Sequence, residues 1–160
     1  MPGFEPPREQ KEAMKKIAVA LMAGWALAQA GAADLDWMTD LGKAQAKAKE
    51  EHRLVLMDFT GSDWCIWCAK LRKEVFSTPE FTAYAKTNLV PVEIDFPRRK
   101  QQPAELKKAN RALQAKYGIR YYPTVVVLNG QGKKIGKLGY EEGGPKPFIA
   151  KLEALKAKEK

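Results

Sequence analysis

The feature that most constrains this chain is a pair of cysteines placed where an apolar segment gives way to a helical pattern. Leu54–Phe59 is short, apolar and unbroken, which is typical of a strand covered on both faces. After a short link, Cys65 and Cys68 open an amphipathic run, and they are the only cysteines of the chain. Side chains at this spacing lie on the same face of a helix, so the two thiols can close and reopen a small disulfide ring.

The position of Cys65 favours redox chemistry. At the first turn of a helix, unpaired backbone N–H groups and the helix dipole stabilise a thiolate and lower the pKa of the thiol. Cys65 is therefore expected to attack and Cys68 to resolve the mixed disulfide. An inert structural disulfide is the alternative, although so small a ring removes little chain entropy. A single CxxC supplies two of the four usual zinc ligands and His52 is the only histidine, so no metal is predicted.

The chain is expected to consist of a signal peptide, residues 1–33, and a folded domain, residues 34–160. A positively charged start, a short apolar stretch and a run of small residues are typical of a secretory signal. Met14 would itself be a conventional start, so residues 1–13 are interpreted as an artefact of an upstream start. An N-terminal helix packed on the domain is the alternative. The predicted location is the periplasm or outside the cell.

Composition and charge indicate a soluble globular protein. Hydrophobic residues make up 45% of the chain and charged residues 29%. The net charge is +9, but acidic residues are interspersed among the basic ones, and only Arg98–Lys100 forms a tight basic run. Nucleic acid is therefore not predicted as a partner. The basic residues are interpreted as a solvated surface, with attraction to an acidic partner or a membrane as the alternative.

The order of helical and extended patterns predicts an α/β fold with a central mixed sheet and helices on both faces. Leu35–Trp37 is expected to add a short edge strand, and Leu89–Ile94 a second central strand despite Pro91. The remaining segments are a helix ending near Arg53, the strand Leu54–Phe59, a helix from Cys65 to Ser77, a short helix from Thr78, a helix from Pro103 to Tyr117, the hairpin strands Val125–Leu128 and Lys134–Tyr140, and a final helix after Pro145.

These motifs together resemble the thioredoxin superfamily over nearly all of residues 35–158. Trp64-Cys65-x-x-Cys68 after a strand ending in Asp58-Phe59 is similar to the active-site turn of that family. Tyr122-Pro123-Thr124 resembles its second signature. The stretch that follows the cysteine helix is most similar to the C-terminal domain of periplasmic transmembrane thiol–disulfide interchange proteins and their small secreted relatives. The resemblance implies the thioredoxin fold.

The resemblance also implies roles for individual residues. Pro123 is expected to be cis and to present the backbone of Tyr122 to an extended substrate peptide, with an ordinary trans turn as the alternative. Asp58 matches the buried carboxylate that exchanges a proton with the second cysteine, or else is only structural. One extra residue separates Asp58 from Cys65 compared with the family, and Pro91 stands near the place of the lysine that often accompanies the carboxylate.

Two tryptophans frame the cysteines. Trp64 is expected to shield the thiols and to form part of the substrate-docking surface, with a purely packing aromatic as the alternative. Trp67 lies between the cysteines in sequence and is expected to extend that surface. The pair Ile66-Trp67 replaces the Gly-Pro of ordinary thioredoxins, so the reduction potential of those proteins does not transfer.

The sequence therefore predicts an exported thiol–disulfide oxidoreductase that needs no cofactor beyond its own dithiol. Reduction of substrate protein disulfides is the preferred direction. An oxidase or isomerase of folding proteins and a non-catalytic binding module are the alternatives. The expected partners are cysteine-containing substrate proteins and an external thiol electron donor, for which a membrane thiol transporter is one candidate. The protein is expected to act as a monomer.

Overall fold

A computed structural model describes residues 35–158, and the predicted signal peptide lies outside this part of the chain. Five helices and four strands occur within the described residues. The helices are α1 (Leu41–Glu50), α2 (Ile66–Leu71), α3 (Pro79–Asn88), α4 (Ala104–Tyr117) and α5 (Pro145–Ala157). The strands are β1 (Leu54–Thr60), β2 (Leu89–Asp95), β3 (Thr124–Leu128) and β4 (Lys134–Leu138). None of these five helices is long and apolar enough to span a bilayer.

The four strands form one mixed sheet in the order β2-β1-β3-β4. β1 runs parallel to β2 and antiparallel to β3, and β4 is the antiparallel hairpin partner of β3. The prediction of a mixed sheet with helices on both faces is confirmed. Because the cysteine helix follows the carboxyl end of β1, the candidate site lies at that end of the sheet.

β2 is an edge strand, so its prediction as a central strand was wrong. Beyond β2 there is a single isolated bridge at Met38, and the expected edge strand at Leu35–Trp37 does not form. Met38 N–H donates to the carbonyl of Pro91 at 3.0 Å, and Glu93 N–H donates to the carbonyl of Met38 at 2.8 Å. The backbone nitrogen of Pro91 thus points to the outer edge of the sheet. Its missing N–H therefore removes no hydrogen bond between β2 and β1.

Side chains alternate between the two faces of the sheet and build two cores. Leu54 and Leu56 of β1 pack with α2, α3 and α5, whereas Val55, Met57 and Phe59 pack with α1 and α4. Asp58 occupies the next position on the face of Leu54 and Leu56. Its side chain therefore points toward the layer that contains α2, the helix of Cys68.

Local signals explain most helix ends. The Asp40 side chain caps α1 by accepting the N–H of Lys43 at 3.1 Å, and Thr78 caps α3 with Pro79 at its first position. Gly118 ends α4 with φ 60°, a conformation that glycine adopts without strain. His52 is exposed and lies just after the end of α1. The expected cysteine helix does reach Phe76, but its second half, Arg72–Phe76, is π-helical.

Candidate active site

The centre of the site is a disulfide between Cys65 and Cys68. Cys65 is the N-cap of α2, and its sulfur accepts the backbone N–H of Cys68 at 3.2 Å. Cys68 is only 4% exposed, whereas Cys65 is partly exposed. When the bond is reduced, the same N–H donor stabilises negative charge on the Cys65 sulfur, and this sulfur is the one that a disulfide partner can reach.

Asp58 is a buried carboxyl group, 3% exposed, on the face of β1 that carries α2. Its Oδ1 has no hydrogen-bond partner among the described residues. Burial raises the pKa of Asp58 from 3.8 to about 7; the positive charge of Arg72 opposes this shift, and the negative charges of Glu93 and Asp95 add to it. A carboxyl group with such a pKa gains or loses its proton near neutral pH, as a proton-exchanging group must.

Arg72 is the cation that acts on Asp58, and it is not among the residues predicted from the sequence. It lies one helical turn after Cys68 and forms an ion pair with Glu93, whose Cα pairs with that of Asp58 across the parallel strands. Arg72, Cys68 and Thr60 line a common cavity of about 340 Å³. The four-residue spacing from Cys68 is the signal that could have identified it. The positive charge thus comes from the π-helical segment that continues α2 and not from β2, where Pro91 replaces the expected lysine.

Trp64 is held by contacts on several sides. Its Nε1 donates to the carbonyl of Phe96 at 2.8 Å, and its ring packs edge-on against Tyr122 with centroids 5.6 Å apart. A Cβ at Gly61 would lie 2.4 Å from Cε2 of Trp64, so this position requires glycine. Trp64 is therefore both a packing residue and, being partly exposed beside Cys65, available for the predicted docking role.

The residues between β1 and Cys65 bind the loop that follows β2. Ser62 donates its N–H to Asp95 at 2.9 Å and its hydroxyl to the same carboxylate at 2.6 Å. Asp63 accepts the backbone N–H groups of Arg98, Arg99 and Lys100 at 3.0, 2.7 and 2.9 Å. These hydrogen bonds, that of Arg98 first, hold the pKa of Asp63 at about 2. The segment between Asp58 and Cys65, which is one residue longer than in the family, thus forms a turn that anchors the loop after β2.

The loop before β3 faces the same end of the sheet. The Tyr122–Pro123 bond is cis, as the resemblance implied. The Tyr122 hydroxyl accepts a hydrogen bond from the side-chain N–H of Gln114 at 2.6 Å, and its ring lies between Trp64 and Phe96. Tyr121, which is not among the residues predicted from the sequence, is 74% exposed. The predicted role of Tyr122 therefore concerns its backbone, since its side chain is engaged in packing.

Large apolar side chains are exposed near the cysteine pair. Among the described residues the large exposed hydrophobic side chains are Ile66, Trp67 and Tyr121, at 72%, 51% and 74%. Two of them lie between the cysteines. The Trp67 ring contacts Tyr140 with centroids 5.5 Å apart, and the Tyr140 hydroxyl donates to Glu74 at 2.5 Å. This apolar collar suits contact with a polypeptide better than contact with water.

Comparison with known proteins identifies the family of this chain. Residues 41–156 match the family described as a thioredoxin-like domain. The chain belongs to the thioredoxin-like family. It is 35% identical over 123 residues to disulfide bond reductase DsbH of Chlamydia pneumoniae, an alignment that covers 77% of this chain and 74% of that protein. It is accordingly a thioredoxin-like disulfide oxidoreductase whose redox pair is Cys65 and Cys68.

Solved structures of thioredoxin-like proteins superpose on this chain. A structure described as DsbH oxidoreductase matches with a TM-score of 0.73 and 33% identity, covering 77% of this chain and 85% of that one. The reduced C-terminal domain of DsbD from Neisseria meningitidis matches with a TM-score of 0.54 and 26% identity, covering 71% of this chain and 92% of that one. The expected thioredoxin fold and the likeness to the thiol–disulfide interchange branch are both confirmed.

Proposed function

We propose that this protein is an exported reductase that transfers two electrons from Cys65 and Cys68 to disulfides of other proteins. The observation that carries the proposal is the asymmetric cysteine pair: one partly exposed sulfur at a helix N-cap, surrounded by exposed apolar side chains, and one buried sulfur behind it. The reductive direction is supported by 35% identity to a protein named disulfide bond reductase.

The reaction has two exchange steps. The Cys65 thiolate attacks one sulfur of the substrate disulfide, which forms a mixed disulfide and releases the first substrate thiolate. The Cys68 thiolate then attacks the Cys65 sulfur, which closes the Cys65–Cys68 bond and releases the second substrate thiolate. The substrate gains two electrons and two protons, and the protein loses them. An external thiol donor, for which a membrane thiol transporter remains a candidate, then returns the protein to the dithiol form.

Asp58 is proposed to take the proton of Cys68 before the second step. Its carboxyl faces the layer of α2, is buried, and has a pKa raised to about 7, so both protonation states are populated near neutral pH. A buried thiol loses its proton less readily than an exposed one, so a nearby proton acceptor favours the second step. Asp58→Asn should slow resolution of a mixed disulfide and flatten its dependence on pH, whereas a structural role would lower stability alone.

The remaining candidate residues are proposed to bind substrate. Trp64 and Trp67 would contact side chains that flank the substrate disulfide, and the backbone of Tyr122 before Pro123 would pair with an extended substrate segment. The position of this loop, whose Tyr122 ring touches Trp64, supports such pairing close to the cysteines.

Trapping tests the catalytic proposal. Cys68→Ser should accumulate mixed disulfides through Cys65, because the resolving thiol is absent, and the trapped proteins can be identified by mass spectrometry. Cys65→Ser is the matched control and should trap far less, since the remaining thiol is buried. If Cys68→Ser captures nothing and the wild type does not reduce insulin, a binding module explains the fold better.

Direction and export need separate measurements. Equilibration with glutathione should give a reduction potential nearer to thioredoxin, roughly −270 mV, than to the oxidant DsbA, roughly −120 mV. A value near the latter would reverse the assignment in favour of an oxidase. Cell fractionation and N-terminal sequencing of the mature protein test export, with cleavage expected within or at the end of residues 1–33. An uncleaved cytosolic protein would contradict it.

A further inference from the structure

The positive charge of this chain is concentrated in one segment. Between Pro97 and Arg120 there are eight basic side chains and one acidic side chain, Glu105, which gives a net charge of +7 out of +9 for the whole chain. Part of this segment lines a cavity of about 410 Å³ beside Phe96. We call this feature the basic cavity; its cationic side chains are Arg98, Arg99, Lys100, Lys107 and Arg111.

The basic cavity adjoins the active site. The Arg98 guanidinium lies 4.0 Å from the centre of the Trp64 ring, and Trp64 directly precedes Cys65. Asp63 binds the backbone of the loop that carries three of the five cations. The cavity is therefore held at a fixed place next to the partly exposed sulfur.

The cations of the basic cavity form no ion pair within the described residues, and only Lys100 has an electrostatic interaction with Asp63. The nearby carboxylate of Asp63 already accepts three backbone N–H groups. Clustered charges of one sign in a concave surface focus the electric field and attract ligands of opposite charge. Three of the five are arginines, whose guanidinium groups bind carboxylates through paired hydrogen bonds.

We propose that the basic cavity binds an acidic segment of the substrate polypeptide while the disulfide of that polypeptide is engaged at Cys65. This inference rests on the proposed reductase function and names the charge of its substrates. Arg98, which lines the cavity, lies over the ring of Trp64, so a polypeptide that is bonded to Cys65 and extends past Trp64 reaches the cavity. The apolar collar of Ile66, Trp67 and Tyr121 contacts the region around the disulfide, and the basic cavity selects acidic residues on one side of it.

Two disulfide-containing peptides of equal length test the inference, one with Glu and Asp flanking the disulfide and one with Gln and Asn. The wild type should reduce the acidic peptide with a kcat/KM roughly tenfold higher at low ionic strength. The ratio should fall toward one at about 0.5 M salt, where screening is nearly complete. The variant R99Q/K107Q/R111Q should lower the ratio severalfold at low salt. It leaves Arg98 on Trp64 and keeps the backbone N–H groups that bind Asp63.

The variant K49Q/K86Q/K134Q is the matched control, because it removes the same charge at the opposite end of the sheet. Lys49 and Lys86 precede the amino ends of β1 and β2, and Lys134 begins β4. The control should keep the wild-type ratio. If it loses the ratio as well, net charge explains the preference and the basic cavity does not. Circular dichroism checks that both variants fold, and the salt dependence of the wild type tests the inference without any substitution.

The remaining outcomes are distinct. A wild type that reduces neither peptide contradicts the reductase function itself. A wild type that reduces both peptides equally at low salt overturns only the assignment of acidic substrates. If the ratio is one and R99Q/K107Q/R111Q instead loses binding to vesicles of phosphatidylglycerol, the basic cavity faces a membrane and the inference is also overturned.

Discussion

The buried carboxyl of Asp58 should make the stability of the oxidised protein depend on pH in a way that one substitution removes. The folded protein holds the Asp58 proton up to about pH 7, whereas the unfolded chain loses it near 3.8. Because folding raises this pKa, protonation of Asp58 favours the folded state at low pH. Its contribution to the free energy of unfolding falls as pH rises from 3.8 to about 7 and is constant above that value. The full difference corresponds to roughly 4 kcal/mol.

Asp58→Asn removes the titration and keeps the shape of the side chain. The amide adds a buried N–H₂ group whose cost, roughly 1–3 kcal/mol, does not change with pH. The variant should therefore gain stability relative to the wild type as pH rises within the window, by roughly 2–3 kcal/mol between pH 5 and 8. The slope and not the absolute difference carries the test.

Urea denaturation followed by tryptophan fluorescence measures this difference. The experiment uses the oxidised protein, in which the disulfide cysteines do not titrate. Asp36→Asn is the matched control, since it removes a carboxyl group from an exposed position. A difference between Asp58→Asn and wild type that stays level from pH 5 to 8 would refute the argument that burial of Asp58 controls its proton.

Three further substitutions test the site. Gly61→Ala places a Cβ 2.4 Å from Trp64, so the indole must move. Tryptophan fluorescence should change, and the free energy of unfolding should fall by roughly 1–3 kcal/mol. An unchanged fluorescence spectrum would contradict the close packing of Gly61 against Trp64. Trp67→Ala should raise KM for a protein substrate severalfold with little loss of stability, because the ring is 51% exposed; an unchanged KM would exclude the ring from docking. Asp63→Ala should speed amide hydrogen exchange at residues 98–100 near neutral pH. In the wild type the hydrogen bonds from these amides to the Asp63 carboxylate weaken only as pH falls toward about 2. Equal exchange rates in the two proteins would show that the carboxylate does not order the loop.

Local sequence signals predicted the elements and the redox pair because their causes lie within a few residues. The apolar run of β1, the caps at Asp40 and Thr78, and the glycine at the end of α4 act over one helical turn or one strand. The spacing of Cys65 and Cys68 likewise determines that both sulfurs lie at one helix end. These features needed no knowledge of distant contacts.

The errors involve contacts between residues distant in sequence. Pro91 argued only mildly against a central strand. β2 is an edge strand because it pairs with β1 alone, and β1 pairs with β3 on its other side. Tyr121 and Tyr122 are adjacent and chemically alike, and the positions of Trp64 and Phe96 determine that the ring of Tyr122 is partly buried while that of Tyr121 is exposed. No periodicity in a single sequence contains that information, since the packing partners come from loops about 30 and 60 residues away.

Replacement of the expected lysine by Pro91 changes which residue supplies the positive charge that acts on Asp58. With proline at the expected lysine position, the charge that acts on Asp58 comes from Arg72 on the cysteine helix, and Glu93 on β2 competes for the same guanidinium. Since Arg72 follows Cys68 by one turn, any movement of α2 on reduction would change the charge beside Asp58 and the cavity beside Cys68 together. The proton affinity of Asp58 is thereby coupled to the redox helix as well as to the acidic residues of β2. Arg72→Gln should therefore raise the pKa of Asp58 further and shift the pH dependence of mixed-disulfide resolution upward, with Lys73→Gln on the same helix as the control of equal charge. A profile that moves equally in both variants would show that this coupling is only a general effect of net charge.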